Sequence, residues 1–167
     1  MRNEFRSLLP LGLPDYEIDR AGNVRRKGRT RLLKPRHFST FHAKYYQGVV
    51  YQLRQPDPHQ RKYTLRTRRR LVALMWGKRL LENEFVLSVD FTDHIESLVA
   101  VSASDYHSHC RKASFSLHVW RNKLYVAIDQ KRIHIPSARP LCKEKGWIEL
   151  LRRSRIAKHP LRGILSE

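Results

Sequence analysis

Cysteine is almost absent: Cys110 and Cys142 are the only two, and no Cys-x-x-Cys pair occurs. That excludes a disulfide framework and a four-cysteine zinc site. Long apolar runs are missing too, so no segment is long enough to span a bilayer, and no clean amphipathic stretch offers an anchor. Residues 1–13 carry a few leucines broken by Pro10 and Gly12, which is too short and too polar for a secretory signal. A soluble, intracellular protein is the expectation. Acidic residues are scarce as well. Asp and Glu number 15 against 34 Lys and Arg, a formal charge of +19 with a pI near 10.7. An excess of this size favours a polyanionic partner, because each neutralised phosphate releases condensed counterions. The cations are spread along the chain rather than gathered in a tail, which implies a folded basic surface. With 41% hydrophobic residues the chain has enough apolar material for one ordinary core or two small ones. Nucleic acid is the expected partner, and membrane is not.

The order of residues suggests an α+β chain. Pro10 and Pro14 keep residues 1–14 from forming a long helix. Tyr16-Glu17-Ile18 and Val24-Arg25-Arg26 read as two short strands joined by Ala21-Gly22-Asn23. Residues 29–34 read as a further extended piece ending at Pro35. From Tyr45 the pattern alternates, with Val49, Tyr51 and Leu53 on one face, and Lys62-Tyr63-Thr64-Leu65 returns after a loop at Pro56–His59. At Thr67 the period becomes helical, with Leu71, Leu74 and Met75 at i, i+3 and i+4 behind Arg66, Arg68, Arg69 and Arg70.

Four of these pieces, in this order, carry a resemblance: Tyr16 to Arg25, Leu32-Leu33-Lys34-Pro35-Arg36, Tyr45 to Leu53, and Arg69-Arg70-Leu71-Val72-Ala73-Leu74-Met75-Trp76. Together they resemble the small DNA-binding module found beside HNH nuclease domains in phage homing endonucleases, over about residues 14–77. One departure is Arg69, where the family has His. The resemblance implies that Arg25, Arg26, Lys27, Arg29, Lys34 and Arg36 meet phosphates or a groove, and that Arg66, Arg68, Arg69 and Arg70 meet the backbone.

The next stretch is similar to an HNH core, a ββα-metal fold that needs a His to activate water and further ligands to hold a divalent metal such as Mg²⁺ or Mn²⁺. The frame Ile95-Glu96-Ser97-Leu98 followed by Val101-Ser102 matches, but the reactive positions do not. Leu87 stands where the metal-binding Asp belongs, and Ser88 stands in place of the general base. The link from Asp90 to Asp93 is also shorter than the family's. Tyr106 falls at the last ligand position, or His107 after a shift of one residue. Leucine cannot ligate a metal, and a serine hydroxyl is too weak a base near neutral pH. Residues 81–112 therefore read as a degenerate HNH-like core. If cleavage survives, the fallback catalytic residues are Asp90, His94 and His107, and the fallback metal ligands are Asp90, Asp93 and His107. His107 and His109 point apart on a helix, and Cys110 reads as a small buried residue rather than a zinc ligand.

Residues 113–167 read as a third part. Phe115, Leu117 and Val119 alternate, as do Leu124, Val126 and Ile128, and Arg132-Ile133-His134-Ile135 completes a three-stranded meander. Pro140 is expected to open a helix through Trp147 and Leu150, with Lys143, Lys145, Arg152, Arg153 and Arg155 on its solvated faces. Strands followed by one helix are similar to the plant-type ethylene-response DNA-binding fold. That likeness implies that Arg111, Lys112, His118, Trp120, Arg121 and Lys123 face DNA; Trp120 packed against the helix is the alternative.

Three functions follow as expectations. The first is a double-stranded DNA-binding protein derived from an HNH homing endonuclease with cleavage lost or impaired and no cofactor. The second is an active metal-dependent nicking enzyme with a shifted site. The third is a phage-encoded protein that binds nucleic acid or a host factor without catalysis. The resemblance places it in the bacterial cytoplasm or nucleoid.

Overall fold

The computed structural model describes residues 4–37, 49–56, 62–90, 92–110, 117–128 and 130–157. The fold is α+β, and the chain divides into two compact units, Met1–Trp76 and Gly77–Glu167. The described strands form four three-stranded antiparallel sheets, two in each unit.

In the first unit β1 (Arg6–Ser7), β2 (Tyr16–Ile18) and β3 (Val24–Arg26) form one sheet in that order. Asp19 closes the turn between β2 and β3: its Oδ1 accepts the Asn23 N–H at 2.8 Å and its Oδ2 the Asn23 side-chain amide at 2.9 Å. Gly22 in this turn has a φ of +84°, and a Cβ there would lie 2.4 Å from Arg68 Cγ. Gly22→Ala is therefore expected to cost about 2 kcal/mol, the sum of a left-handed backbone and a displaced arginine stem. A urea midpoint equal to the wild type's would refute this.

The second sheet is β4 (Arg36–His37), β5 (Val49–Arg54) and β6 (Tyr63–Thr67). Its expected hairpin loop and the stretch from Tyr45 to Gly48 lie largely outside the described residues. The two sheets are tied by their tyrosines. The Tyr51 hydroxyl donates to the Gly22 carbonyl at 3.1 Å, and the Tyr16 hydroxyl accepts the Arg54 N–H at 3.0 Å. Helix α1 (Arg68–Trp76) buries Leu71, Val72, Ala73 and Trp76, while Leu74 is exposed. The expected stripe of Leu71, Leu74 and Met75 is thus rotated. The helix touches β2 on one side and β5 and β6 on the other, so it needs a wider apolar arc than a single sheet would ask for.

In the second unit β7 (Glu84–Ser88) runs antiparallel to β8 (Leu98–Ser102), and a loop ending in the 3-10 turn Ile95–Ser97 joins them. A helical segment follows, an α turn α2 (Ala103–Asp105) continued by a π turn (Tyr106–Cys110). Then come β9 (Leu117–Trp120), β10 (Lys123–Ile128) and β11 (Lys131–His134), a meander in the expected order. Pro140 does not open a helix. It lies in β12 (Arg139–Pro140), an edge strand pairing with β8, where its missing N–H is tolerated. Helix α3 (Gly146–Ala157) begins later, so Lys143 and Lys145 precede it.

The expected division between residues 112 and 113 does not separate two cores. Leu87, Val99 and Tyr106 share one apolar cluster with Val119, Leu124, Val126 and Leu150. Neither the β7–β8 pair nor the meander has enough apolar surface alone, and each covers the other's inner face. Among the described residues, no helix is long and apolar enough to cross a membrane.

Candidate nucleic-acid interface

No acidic residue occurs between Val24 and Pro56, and the first unit as a whole carries 18 Lys and Arg against 5 Asp and Glu. Between β3 and β4 the chain turns rather than extends. The Arg29 N–H reaches the Arg26 carbonyl at 3.0 Å, with Gly28 at a φ of +72° in the position where such a turn needs it. A bridge between Arg25 and Leu32, with the Leu33 N–H on the Val24 carbonyl at 2.7 Å, closes the base. Residues 29–34, expected as an extended piece, therefore form the rising half of an exposed cationic turn. Arg26, Lys27, Arg29, Arg31, Lys34 and Arg36 are all exposed on it or just beyond it. Arg31 is the member not singled out from the sequence, although the absence of acid around it is a readable signal.

The remaining arginines of this unit are not equivalent. Arg25 turns away from solvent: its Nε sits 2.9 Å from Glu17 Oε2, and its guanidinium lies 3.7 Å over the Phe5 ring. Arg68, expected at the phosphate backbone, lays its stem across Gly22 and hydrogen-bonds the Tyr51 hydroxyl. Burial raises the Tyr51 pKa above its ordinary value, against the opposing charge of Arg68. Both arginines hold the fold, because each meets a buried or half-buried partner supplied by a neighbouring strand. Arg66 is exposed on β6, and Arg69 and Arg70 are half-buried at the start of α1.

Ser88, Asp90, Thr92, Ser97 and Arg153 form a hydrogen-bonded knot. Asp90 Oδ1 accepts from the Thr92 N–H at 3.0 Å and the Thr92 hydroxyl at 2.7 Å. Oδ2 accepts from the Ser97 hydroxyl at 2.7 Å and from Arg153 Nη1 at 2.9 Å. The Ser88 hydroxyl lies 2.5 Å from the Thr92 carbonyl and 3.1 Å from Asp90 Oδ1. Burial alone would raise the Asp90 pKa, but the hydrogen bonds from Thr92, Ser97 and Arg153 outweigh it and hold the carboxyl below its ordinary value. Arg153, expected on a solvated helix face, is thus drawn inward, with its Nε 3.1 Å from Glu149 Oε1.

The fallback residues do not assemble around this knot. Asp93 is buried, whereas His94 is exposed ahead of the 3-10 turn. Tyr106 stacks on Phe85, with centroids 3.9 Å apart and planes within 4°, and His107 meets both rings edge-on. Among the described residues no group of three or more His, Cys, Asp or Glu could hold a metal ion, so Asp90, Asp93 and His107 do not form one. Burial, with the charge of Asp105, pushes the Cys110 thiol up to about 11, so it stays protonated at neutral pH.

The meander presents a different surface. Arg121 and Asn122, with φ of 46° and 57°, make the two-residue turn between β9 and β10. Leu124 and Val126 point into the core, so Lys123 and Tyr125 lie on the other face. There Trp120 is 49% exposed; it meets Tyr125 edge-on at 6.0 Å, with the Arg121 guanidinium 4.4 Å over its ring. This is not the packing against the helix that was the alternative. His118, expected to face DNA, is instead buried, paired across from Tyr125. Arg111 and Lys112 lie outside the described residues. Tyr125, Arg132 and His134 join this face and were legible from the alternation of β10 and β11.

Comparison of the chain with protein-family models, with curated proteins and with solved structures finds no match in any of the three.

Proposed function

We propose that the chain binds double-stranded DNA without hydrolysing it, as a descendant of phage HNH homing endonucleases acting in the bacterial cytoplasm or nucleoid. The observation that carries the binding half is the exposed, acid-free cationic turn from Arg26 to Arg36. Its backbone bonds hold the cations outward, so little ordering is lost when phosphates arrive, and arginine forks suit both phosphate and guanine. The ancestry rests on the residue resemblance and is supported by the order strand, loop, strand, helix over residues 84–110.

The non-hydrolytic half rests on Asp90. A divalent metal does not fit here, because Leu87 offers no ligand atom and the Asp90 carboxylate is already satisfied by Thr92, Ser97 and Arg153. Recruiting it would leave the Arg153 cation half-buried with one partner fewer. Incubation of supercoiled plasmid with the full chain and Mg²⁺ or Mn²⁺ is expected to give no protein-dependent nicks. Nicking that disappears in Asp90→Asn or His94→Ala would overturn the reading in favour of a shifted catalytic site.

A further inference from the structure

We infer that the outer face of the sheet β9–β10–β11 is a stacking platform for single-stranded DNA, separate from the cationic turn of the first unit. Three rings cross its strands, Trp120 diagonal to Tyr125 and Tyr125 directly opposite His134. Trp120 and Tyr125 have centroids 6.0 Å apart at 63°, and Tyr125 and His134 are 5.4 Å apart at 41°. These rings lie opposite the core face, where Leu124 and Val126 are fully buried, at the Trp120 end of an outer face that is covered at His118, so the rings lie outside the apolar cluster that folds the unit. An indole half exposed at such a position is unused by the fold.

The surroundings select the occupant. Arg121, Lys123 and Arg132 are exposed beside the rings, and residues 117–134 carry four Lys and Arg against a single acid, Asp129. That charge favours a polyanion over an ordinary protein partner. Among polyanions, a duplex presents base edges in its grooves while its base faces are stacked on one another, leaving nothing for exposed rings to stack against. An unpaired strand offers base faces and phosphates together, which is what alternating rings and cations match. The Arg121 guanidinium over Trp120 is a solvent-exposed contact, and such contacts are weak enough to yield to a base. The choice of DNA over RNA rests on the proposed function, because stacking itself does not distinguish the sugars.

The test uses the full chain and three labelled probes of equal length: oligodeoxythymidylate, oligouridylate and a DNA hairpin duplex. Trp120→Ala is expected to weaken oligodeoxythymidylate binding about tenfold or more and to leave the duplex affinity within about twofold. Tyr125→Ala is expected to act in the same direction, and Trp120→Phe, which keeps a ring, to restore much of the loss. Far-UV circular dichroism matching the wild type establishes that the variants fold. Unchanged single-strand affinity in both alanine variants overturns the inference. So does a loss confined to the duplex, which would make the face a groove reader, or one confined to oligouridylate. An Arg26→Ala/Arg29→Ala variant that leaves duplex binding intact would instead sink the proposed function, while the Trp120 result would still decide this one.

Discussion

Arg153→Met is expected to destabilise the second unit by about 2–4 kcal/mol, lowering its Tm by roughly 10–20 °C. Methionine keeps most of the arginine stem, so the loss reports charge and hydrogen bonding rather than a cavity. Arg153 bonds Asp90 Oδ2, the Ser97 hydroxyl and Glu149 together, and the ion pair to Asp90 is mostly buried, with side chains 19% and 10% exposed. Its removal strands a carboxylate among neutral donors. The figure stands below that for a fully buried pair because water still reaches the guanidinium.

The pH dependence has a definite sign. The Asp90 carboxyl is held below its ordinary value, so its contribution is fully present above the unfolded value of about 4 and is lost as pH falls through the folded one. Without Arg153 one of the hydrogen bonds that lower the carboxyl is lost, and that contribution shrinks. The stability gap between wild type and Arg153→Met should therefore close as pH falls below about 4, as followed by urea midpoints from pH 7 to pH 3. A gap of constant size across that range would show that the ion pair is not what Arg153 contributes.

Removing Arg26, Arg29, Arg31 and Lys34 together by alanine substitution is expected to make the salt dependence of duplex binding shallower by about 3 to 4 units of slope. At 50 mM salt the affinity should fall roughly 10²-fold or more. All four side chains are exposed on the turn, and Gly28, which sets the turn's shape, is untouched. Stability should thus be little changed. Arg68→Ala is the informative contrast: its stem lies on Gly22 and its guanidinium serves Tyr51, so it should lower stability and leave the slope alone. A quadruple variant with the wild-type slope would remove this turn from the interface.

Much of the architecture is local and therefore legible. Tyr16–Ile18, Val24–Arg26 and the meander from Leu117 to His134 are strands where the alternation in the sequence places them, and Gly22 or a short polar turn marks where each reverses. The misreadings share a different origin. The stripe on α1 is rotated because two sheets, not one, press on it, and Pro140 lies in a strand because β8 offers it an edge. Both neighbours are remote in the chain, and no local pattern names them.

The candidate sites divide the same way. The sequence by itself determined the +19 charge, the acid-free stretch around Arg26 to Arg36, and the presence of Leu87 and Ser88 ahead of Asp90, all of which are properties of composition and order. Only the tertiary structure decided which cations are available. Arg25 is taken by Glu17, Arg68 by Tyr51, and Arg153 by an aspartate 63 positions away. A guanidinium reaches for whichever carboxylate or hydroxyl the packed core brings near it, and that is set by long-range register rather than by its neighbours in the chain.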